Sequence, residues 1–512
     1  MLAAIMMMAM SVTAFAAETT HSLTVNAKGG QDLKGQTINL YKLFDVTESK
    51  NGETTNYAYT VNPANGYKDA IKSALGTSFT GTTDEEYAAA VLDLKDTDGT
   101  KIQKFANDFT TYALKNSLAA TTNSGDTKLG NVTSYTFNDL AAGYYLVYVT
   151  GGKEIQSSLV TVDETTTTVN LKTEAPSIEK KADKATVNIG DVVTYTVKGS
   201  IPDTTGYAQY VYKIHDELSP GLDFVNDTTG TACEGNSVKV TVAFTDTSLT
   251  VGGTTPTTAT LDTANNRKMS LDLSEWVRDN QENKGKEFTV TYYAKVNKDA
   301  VVTEKNKAQL EYGNKSGETT KTTPSEAKTP TYPLDILKIK KGTEEILAGA
   351  HFTLYASTTA GAIDESKPIK VTKVDDGKYS YAADQTSTDP SVITDMVTVA
   401  SKIEGQGYNL HINGLAAGTY YLKETKAPDG YNKLTEAIKV TITKSTTADE
   451  NEWTLAVDKG TVDGKIVKVE NSTGSLLPST GGRGTIAFAV IAALLVFGVA
   501  VSFIRDKRKE VK

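Results

Sequence analysis

Near its C-terminal end the chain carries a short segment with the form of an enzyme substrate. The segment is the pentapeptide Leu477, Pro478, Ser479, Thr480 and Gly481. Proline disfavours helix at its own position and at the preceding one, so the pentapeptide should stay extended and fit the groove of an enzyme. An uncharged apolar run from Ile486 to Ile504 follows. At about 1.5 Å per residue, this run can cross most of a bilayer as a helix. The predicted chemistry is cleavage of the pentapeptide by another protein at a membrane surface.

The order of parts in residues 475–512 resembles the cell-wall sorting signal of Gram-positive surface proteins. A basic tail follows the apolar run and should stay in the cytoplasm by the positive-inside rule; it contains Arg505, Lys507, Arg508 and Lys509. The resemblance implies that a sortase cuts between Thr480 and Gly481 and joins Thr480 to an amine. The transmembrane helix then holds only the precursor. The alternative is a plain C-terminal membrane anchor, but the complete order of motif, apolar run and basic tail favours the sorting signal.

The beginning of the chain predicts a secretory signal peptide at residues 1–16. Met1 to Phe15 is apolar, and Ala14, Phe15 and Ala16 form an A-x-A cleavage site. The mature chain then begins near Ala17, although no basic residue precedes the apolar region. The two ends together predict a secreted protein of the cell wall or of fimbriae, whose precursor lies transiently in the cell membrane.

The composition of the chain between these ends predicts β-structure. Thr, Val, Tyr, Gly and Asn are abundant and Pro punctuates the sequence, which is typical of short strands and turns. The formal net charge of −9 argues against nucleic acid as a partner. A length of about 460 residues after processing suggests about three domains.

Few residues in the chain are suited to enzyme catalysis or to cofactor binding. Cys233 is the single cysteine, so the exported protein has no internal disulfide. No glycine-rich loop of the P-loop or Rossmann kind occurs. The histidines form neither metal-ligand spacing nor a catalytic pair; they are His21, His215, His351 and His411. We therefore predict no enzyme activity, no cofactor and no metal.

Two phrases recur at the two ends of the mature chain. The sequence NDLAAGYYL at 138–146 is nearly repeated as NGLAAGTYYL at 413–422, and DLKGQTINLY at 32–41 is echoed by ILAGAHFTLY at 346–355. The first and third domains are thus predicted to be copies of one β-sandwich. In the first copy, residues at helical spacing around Phe105 and Phe109 predict a helical insertion. Aligned on Tyr-Tyr-Leu, Glu424 of the third domain matches Tyr148 of the first.

The middle domain alternates like an antiparallel sandwich of the immunoglobulin-like class, with strands such as Val192–Val197 and Phe288–Val296. The phrase YYLKETKAPDGY at 420–431 resembles the E-box of CnaB-type domains. The middle domain is similar to CnaA-like domains, and the whole chain resembles a sortase-assembled major pilin. We predict CnaB-like domains at 17–172 and 330–474 and a CnaA-like domain at 173–329.

The resemblance implies that such domains form a spontaneous isopeptide bond between a lysine and an asparagine, assisted by a buried acid. The chemistry is physically reasonable. Burial in an apolar core lowers the pKa of a lysine toward neutrality, so that its amine can attack. A buried carboxylic acid with a raised pKa can protonate the amide oxygen, after which ammonia leaves.

In the third domain we predict a bond between Lys338 and Asn471, assisted by Glu424. Leu334, Ile336 and Lys338 alternate onto one strand face, and Glu424 lies in the E-box. Lys340 shares this face and is the alternative nucleophile. Asn471 precedes the sorting signal and could instead be an ordinary turn residue.

In the middle domain we predict a bond between Lys180 and Asn306, assisted by Asp216. Ile178 and Lys180 share a face, Asp216 ends a strand and Asn306 opens the last strand. Lys181 and Asn314 are the alternatives, and an exposed, salt-bridged Asp216 is the alternative for the acid. The first domain lacks the acid because Tyr148 takes its place, so no cross-link is predicted there.

Polymerisation requires one more amine, to which Thr480 of the next subunit is joined. In the family this is the lysine of a YPK-like motif at the junction of the first two domains. Lys172 lies at that place without the Tyr-Pro, and any other exposed lysine among the 53 Lys and Arg residues is the alternative.

The function predicted from these features is that of a structural backbone subunit of a covalent pilus. Its partners are sortase, further copies of itself and peptidoglycan, together with accessory pilins or host ligands. The alternative is a wall-anchored adhesin, or an accessory pilin at the tip or base. An acceptor lysine distinguishes the two functions, because an adhesin at the tip does not need one.

Overall fold

The protein was analysed as a computed structural model, which describes residues 20–34, 36–51, 54–96, 99–125, 129–150, 156–162, 166–171, 176–204, 209–313, 319–474 and 483–509. The chain forms two compact units. The first comprises residues 1–185 and 191–329, and the second comprises residues 186–190 and 330–512. The predicted signal peptide, the pentapeptide Leu477 to Gly481, Lys172 and Asn314 lie outside the described residues. The boundaries of the three predicted domains stay predictions.

The N-terminal part of the first unit forms two sheets and a helical insertion. Its elements are β1 (His21–Asn26), β2 (Thr37–Asn51), β3 (Thr54–Val61), α1 (Tyr67–Leu75), α2 (Asp84–Leu92), α3 (Thr100–Lys115), β4 (Thr122–Asn123), β5 (Ser134–Leu140), β6 (Gly143–Thr150), β7 (Gln156–Val162) and β8 (Thr166–Asn170). One sheet has the order β5-β1-β8 and the other the order β3-β2-β6-β7, with β4 on β2. The predicted helical insertion is confirmed, because α3 buries the face of Phe105 and Phe109.

This part of the chain has two apolar cores. Leu23 and Val25 of β1 meet Val147 and Val149 of β6 between the two sheets. The opposite face of the β2–β6 sheet packs against the helices, with Tyr148 among the buried residues. Successive strand residues point to opposite faces, so Tyr148 and Val149 lie in different cores.

The rest of the first unit is a second pair of sheets. Its elements are β9 (Glu179–Ala182), β10 (Val192–Ser200), β11 (Val211–Leu218), β12 (Leu222–Val225), β13 (Ser237–Lys239), β14 (Thr241–Phe244), β15 (Thr258–Leu261), β16 (Lys268–Asp272), α4 (Ser274–Asp279), a 3₁₀ helix (Gln281–Asn283), β17 (Glu287–Val296), β18 (Lys305–Gly313), β19 (Thr320–Lys321) and β20 (Ser325–Lys328). The sheets have the orders β12-β17-β10-β9, with β14 on β17, and β13-β15-β16-β11-β18-β19, with β20 on β18. The core side of β17 alternates through Phe288, Val290 and Tyr292, all buried.

The second unit contains the third pair of sheets. Its elements are β21 (Tyr332–Lys340), β22 (His351–Ser357), β23 (Ile363–Pro368), β24 (Val371–Asp375), β25 (Lys378–Tyr381), β26 (Val392–Ile393), β27 (Met396–Val397), β28 (Leu410–Leu415), β29 (Gly418–Lys426), β30 (Ile438–Thr443), a 3₁₀ helix (Glu450–Glu452), β31 (Thr454–Val457), β32 (Thr461–Asp463) and β33 (Ile466–Asn471). The sheets have the orders β26-β24-β25-β28-β21-β33-β32 and β23-β22-β29-β30-β31, with β27 on β22. The predicted architecture of tandem β-sandwiches is thus confirmed.

The predicted repeat is visible in the strand pairing of the first and third sandwiches. The order β5-β1-β8 corresponds to β28-β21-β33. In both copies the central strand of the three is parallel to the last one: β1 to β8, and β21 to β33. The order β3-β2-β6-β7 likewise corresponds to β23-β22-β29-β30. Even a register shift recurs, between His21 and Leu23 in one copy and between Tyr332 and Leu334 in the other.

At its C-terminal end the chain forms a helix, α5 (Arg483–Lys509), which includes the apolar run. Among the residues that the structure describes, no helix combines the length and the apolar character needed to span a membrane. The transmembrane helix of the precursor therefore stays a prediction.

Candidate functional site

The structure brings Lys338, Glu424 and Asn471 together inside the third sandwich. Lys338 and Asn471 lie on β21 and β33, which are parallel neighbours in one sheet. Glu424 lies on β29 of the facing sheet, where it pairs with Phe352 of the neighbouring strand β22. Nζ of Lys338 is 3.0 Å from Oε1 of Glu424, and both side chains are fully buried. The three residues thus form one buried polar cluster.

The asparagine of this cluster is held through its nitrogen. Nδ2 of Asn471 donates to Oε2 of Glu424 at 2.9 Å and to the backbone oxygen of Asn432 at 2.5 Å. The same carboxylate oxygen accepts the backbone N–H of Leu434 at 2.7 Å. Oδ1 of Asn471 is buried without a hydrogen-bond partner. An unpaired buried acceptor is costly, so this oxygen is ready to accept a proton.

Burial also makes Lys338 more nucleophilic. Removal from water lowers the pKa of its amine, and this effect outweighs the negative charge of Glu424, which raises it. Its Nζ lies over the ring of Phe352, 5.5 Å from the ring centre. By contrast, the alternative nucleophile Lys340 is partly exposed and pairs with Glu345 at 3.2 Å. Of these two lysines, only Lys338 lies beside Glu424.

A second cluster joins Lys180, Asp216 and Asn306 in the middle sandwich. Lys180 lies on β9 of one sheet, while Asp216 and Asn306 lie on β11 and β18 of the facing sheet. Nζ of Lys180 donates to Oδ2 of Asp216 at 2.6 Å, and both side chains are fully buried. Asn306 is also fully buried. Asp216 was predicted to end a strand, but it lies two residues before the end of β11. Asn306 was predicted to open the last strand, but it is the second residue of β18, and two further strands follow β18.

The charges of this cluster are shifted toward the neutral forms. Burial lowers the pKa of Lys180 to about 8, against the attraction of Asp216. Burial raises the pKa of Asp216, although Lys180 opposes the shift. Oδ1 of Asp216 and Oδ1 of Asn306 are both buried without a hydrogen-bond partner. A proton on the carboxyl would give these acceptors a donor, so the geometry fits a protonated Asp216.

The alternatives for this cluster lie elsewhere. Lys181 is exposed on the other face of β9 and pairs with Glu179 at 3.0 Å. Asp216 is 2% exposed, so a solvent-exposed salt bridge does not describe it.

Sequence reasoning missed Tyr292, a fourth member of the middle cluster. Its hydroxyl contacts Nζ of Lys180 and donates to Oδ2 of Asp216. Nδ2 of Asn306 donates to the same hydroxyl at 3.3 Å. A tyrosine in a run of core positions on β17 was the available signal, because a buried tyrosine hydroxyl usually has a polar partner.

The first sandwich carries a different residue at the acid position from the one predicted. Tyr145 donates from its hydroxyl to the backbone oxygen of Ala141, as Tyr420 does to Ala416, both at 2.8 Å. Tyr145 therefore corresponds to Tyr420, and the equivalent of Glu424 lies one residue beyond Tyr148.

That residue is Val149, which pairs with Ile38 as Glu424 pairs with Phe352. A slip of one residue reverses the face of a strand, which is why Tyr148 packs against the helices. Matching the first strands on Leu23 and Leu334 places Ala27 at the position of Lys338. Alanine and valine have no group that could form or assist an amide bond.

Within the part of the chain that is described, no group of His, Cys, Asp and Glu residues could hold a metal ion.

Two family profiles each match part of one of the sandwiches that hold these clusters. Residues 189–316 match the Gram-positive pilin backbone subunit 2, Cna-B-like domain, and residues 333–455 match the SpaA prealbumin-like fold domain. These matches confirm the predicted resemblance to Gram-positive backbone pilins. In particular, the match to a pilin backbone domain is followed along the chain by the match to a SpaA prealbumin-like fold domain. The first description is Cna-B-like, whereas a CnaA-like domain was expected there from the sequence.

Solved structures of backbone pilins are also similar to the chain. The T6 backbone pilin of Streptococcus pyogenes is 17% identical, with 90% of this chain and 100% of that chain covered and a TM-score of 0.43. The major pilin SpaD of Corynebacterium diphtheriae is 19% identical, with 90% and 99% covered and a TM-score of 0.43. The pilus 2b backbone protein of group B streptococcus is 24% identical, with 59% and 99% covered and a TM-score of 0.38. A search of the curated proteins gave no match.

Proposed function

We propose that the protein is the structural backbone subunit of a covalently polymerised, wall-anchored pilus, and that isopeptide bonds stabilise two of its domains. The bonds are Lys180–Asn306 and Lys338–Asn471. One observation carries the proposal: each of the two matched sandwiches buries a lysine, an acid and an asparagine in one cluster. Glu424 links the other two residues in the third sandwich, and Asp216 and Tyr292 link them in the middle one. An enzyme would expose such groups to a substrate, whereas here all of them are buried in the cores of the sandwiches.

Each bond forms by the same exchange. The neutral lysine Nζ attacks Cγ of the asparagine, while the protonated acid stabilises the oxygen that gains charge. Nζ loses one proton and Nδ2 gains one. The bond between Cγ and Nδ2 then breaks and ammonia leaves. Asp216 serves the middle sandwich and Glu424 the third, and the chain acts on no other substrate.

The joining of subunits is proposed from the sequence motif. A sortase cleaves after Thr480 and transfers its carbonyl to the amine of Lys172 in the next subunit, and the last subunit is transferred to peptidoglycan. The membrane-spanning helix and basic tail of the precursor are released in this step. The polymer is therefore continuous through peptide and isopeptide bonds.

The test is an immunoblot of wall extracts from a Gram-positive strain that carries the chain and its sortase. A ladder that resists SDS is expected for the wild type, and a single band for Lys172→Ala. Lys181→Ala, which removes an exposed lysine from the middle sandwich, serves as the matched control and should keep the ladder. A single band in the wild type would contradict the backbone proposal and favour the adhesin or accessory pilin. A ladder in Lys172→Ala would overturn the choice of lysine.

A further inference from the structure

The two buried clusters differ in how the acid reaches the reacting nitrogens. In the third sandwich, Glu424 alone contacts both, with Nζ of Lys338 at 3.0 Å and Nδ2 of Asn471 at 2.9 Å. In the middle sandwich the acid is an aspartate, shorter by one methylene group. Asp216 accepts a hydrogen bond from Nζ of Lys180, while Nδ2 of Asn306 donates to the hydroxyl of Tyr292 instead.

The aromatic ring beside each lysine differs in a matching way. The ring centre of Tyr292 lies 4.6 Å from Nζ of Lys180, and that of Phe352 lies 5.5 Å from Nζ of Lys338. Only the first ring carries a hydroxyl, and this hydroxyl contacts the amine, the acid and the amide. A glutamate without a phenol and an aspartate with one are therefore two solutions to the same geometric requirement.

We propose that Tyr292 is a catalytic residue of the middle cross-link, and that its phenol carries the proton from Nζ of Lys180 to Nδ2 of Asn306. This inference rests on the proposed Lys180–Asn306 bond. When Nζ attacks Cγ, a bond between them forms and the carbonyl electron pair moves to Oδ1. Nζ gives a proton to the phenol oxygen, and the phenol hydrogen turns from Asp216 to Nδ2. The carbonyl then re-forms, the Cγ–Nδ2 bond breaks, ammonia leaves and the phenol is restored.

The phenol is suited to this transfer because it stays protonated. Burial, together with the charge of Asp216, raises its pKa well above the usual value. A neutral hydroxyl can accept one proton and donate another in the same step, which a phenolate cannot do. Asp216 remains free to serve the amide oxygen.

The neighbouring Tyr195 provides a matched control. Its ring centre lies 4.7 Å from Nζ of Lys180 and it stacks on Tyr292, with ring centres 5.9 Å apart. Its hydroxyl, however, pairs with Thr329 at 3.3 Å. Tyr195→Phe therefore removes a buried hydroxyl from a ring beside the same amine without touching the proposed proton path.

The experiment follows bond formation in the full chain. The chain is isolated unlinked in denaturant and refolded by dilution, and the branched peptides are quantified over time by mass spectrometry. Tyr292→Phe is expected to slow Lys180–Asn306 formation by roughly 100-fold, a typical contribution of general acid–base catalysis. Tyr195→Phe should link at the wild-type rate, and the Lys338–Asn471 bond should form equally in all variants.

Each outcome has one meaning. A wild type that never links Lys180 to Asn306 contradicts the proposed function of this cluster. If the wild type forms the Lys180–Asn306 bond, and Tyr292→Phe forms it as fast as Tyr195→Phe, the role of Tyr292 is overturned but the bond itself is not. If Tyr292→Phe fails to fold, difluorotyrosine at position 292 keeps the shape and lowers the pKa of the phenol. The pH profile of linkage should then move to lower pH, which the same replacement at Tyr195 should not cause; an unmoved profile would also overturn the inference.

Discussion

Nζ of Lys338 lies 3.0 Å from Oε1 of Glu424, and neither side chain is exposed to solvent. Two charges in such a core lose their hydration, and their attraction often fails to offset this loss. The proposed amide bond to Asn471 removes the amine and leaves a carboxyl that can remain neutral. The cluster can therefore be understood as the starting state of a reaction.

The first measurement is the mass of the folded, secreted chain. We expect it to be lower than the sequence mass by two ammonia molecules, because each bond releases one. Glu424→Ala should restore one of them and Asp216→Ala the other. Glu345→Ala, which removes an exposed acid paired with Lys340, should leave the deficit at two. Intact-mass spectrometry measures the deficit, and a wild-type mass equal to that of the sequence would show that neither bond forms.

The second measurement concerns thermal stability. A bond that closes a loop of roughly 130 residues should contribute about 5 kcal/mol, if the chain-entropy estimate for disulfides applies. Glu424→Ala should also leave Lys338 buried without its partner, which costs about 3–5 kcal/mol. Asn471→Ala loses the bond but keeps the pair, so its melting temperature should fall less in calorimetry.

The transition of the first sandwich should not move in either variant, since it has a separate core. If all transitions shift together by the same amount, the sandwiches do not unfold independently.

The third measurement is the pH dependence of Lys180–Asn306 formation. The reactive state has a neutral amine and a protonated carboxyl, so Lys180 and Asp216 together hold one proton. The pKa of Lys180 is lowered to about 8, and that of Asp216 is raised. Above about pH 8 the pair loses its proton, and below the raised pKa of Asp216 it gains a second one.

The initial rate after refolding should therefore be bell-shaped, falling on both sides of this window. A rate that continues to rise well above pH 8 would mean that deprotonation of the amine alone controls the reaction.

The fourth measurement separates the two lysines of β21. Lys338→Met should abolish the third-sandwich bond, whereas the chain with Lys340→Met should still form this bond completely. The second variant should cost no more than about 1 kcal/mol, because Lys340 makes only a surface ion pair. Peptide mapping gives the bond and chemical denaturation the stability. A branched peptide that contains residue 340 instead of 338 would reverse the assignment.

The fifth measurement applies force between Lys172 and Thr480, the proposed joints of the polymer. The two bonds bracket most of the middle and third sandwiches, so force should pass through them without unfolding either. Single-molecule pulling should show only stretching of linkers, and Asp216→Ala and Glu424→Ala should each add one unfolding step. Domain-sized steps in the wild type would show that the bonds are absent or that force enters elsewhere.

The sequence allowed much of this site to be predicted, because strand alternation is a local property. Leu334 and Ile336 mark the buried face of β21, and Lys338 follows them into the core. The phrase around Glu424 marked the acid directly. Contacts between distant strands were harder to predict: Tyr292 meets Lys180 across 112 positions, and no local pattern encodes that distance.

The error at Tyr148 has a physical cause as well. The repeated tyrosines invite an alignment on Tyr-Tyr-Leu, but counted from the glycines Gly143 and Gly418, Thr419 takes the place of Tyr144, and Tyr420 that of Tyr145. Only the hydrogen bonds of Tyr145 and Tyr420 reveal the correct match. In a strand, one position decides which core a side chain enters.

The parallel pairing of β21 with β33 has a consequence for damage. With Lys338 bonded to Asn471, the chain between them is a closed ring, and both tails leave it at adjacent strands. A protease that cuts one peptide bond anywhere in the ring opens it without separating the tails. The pilus would then remain one covalent molecule after a cut that would sever an ordinary chain, so the exposed loops of this domain can be lost or altered while the fibre stays whole.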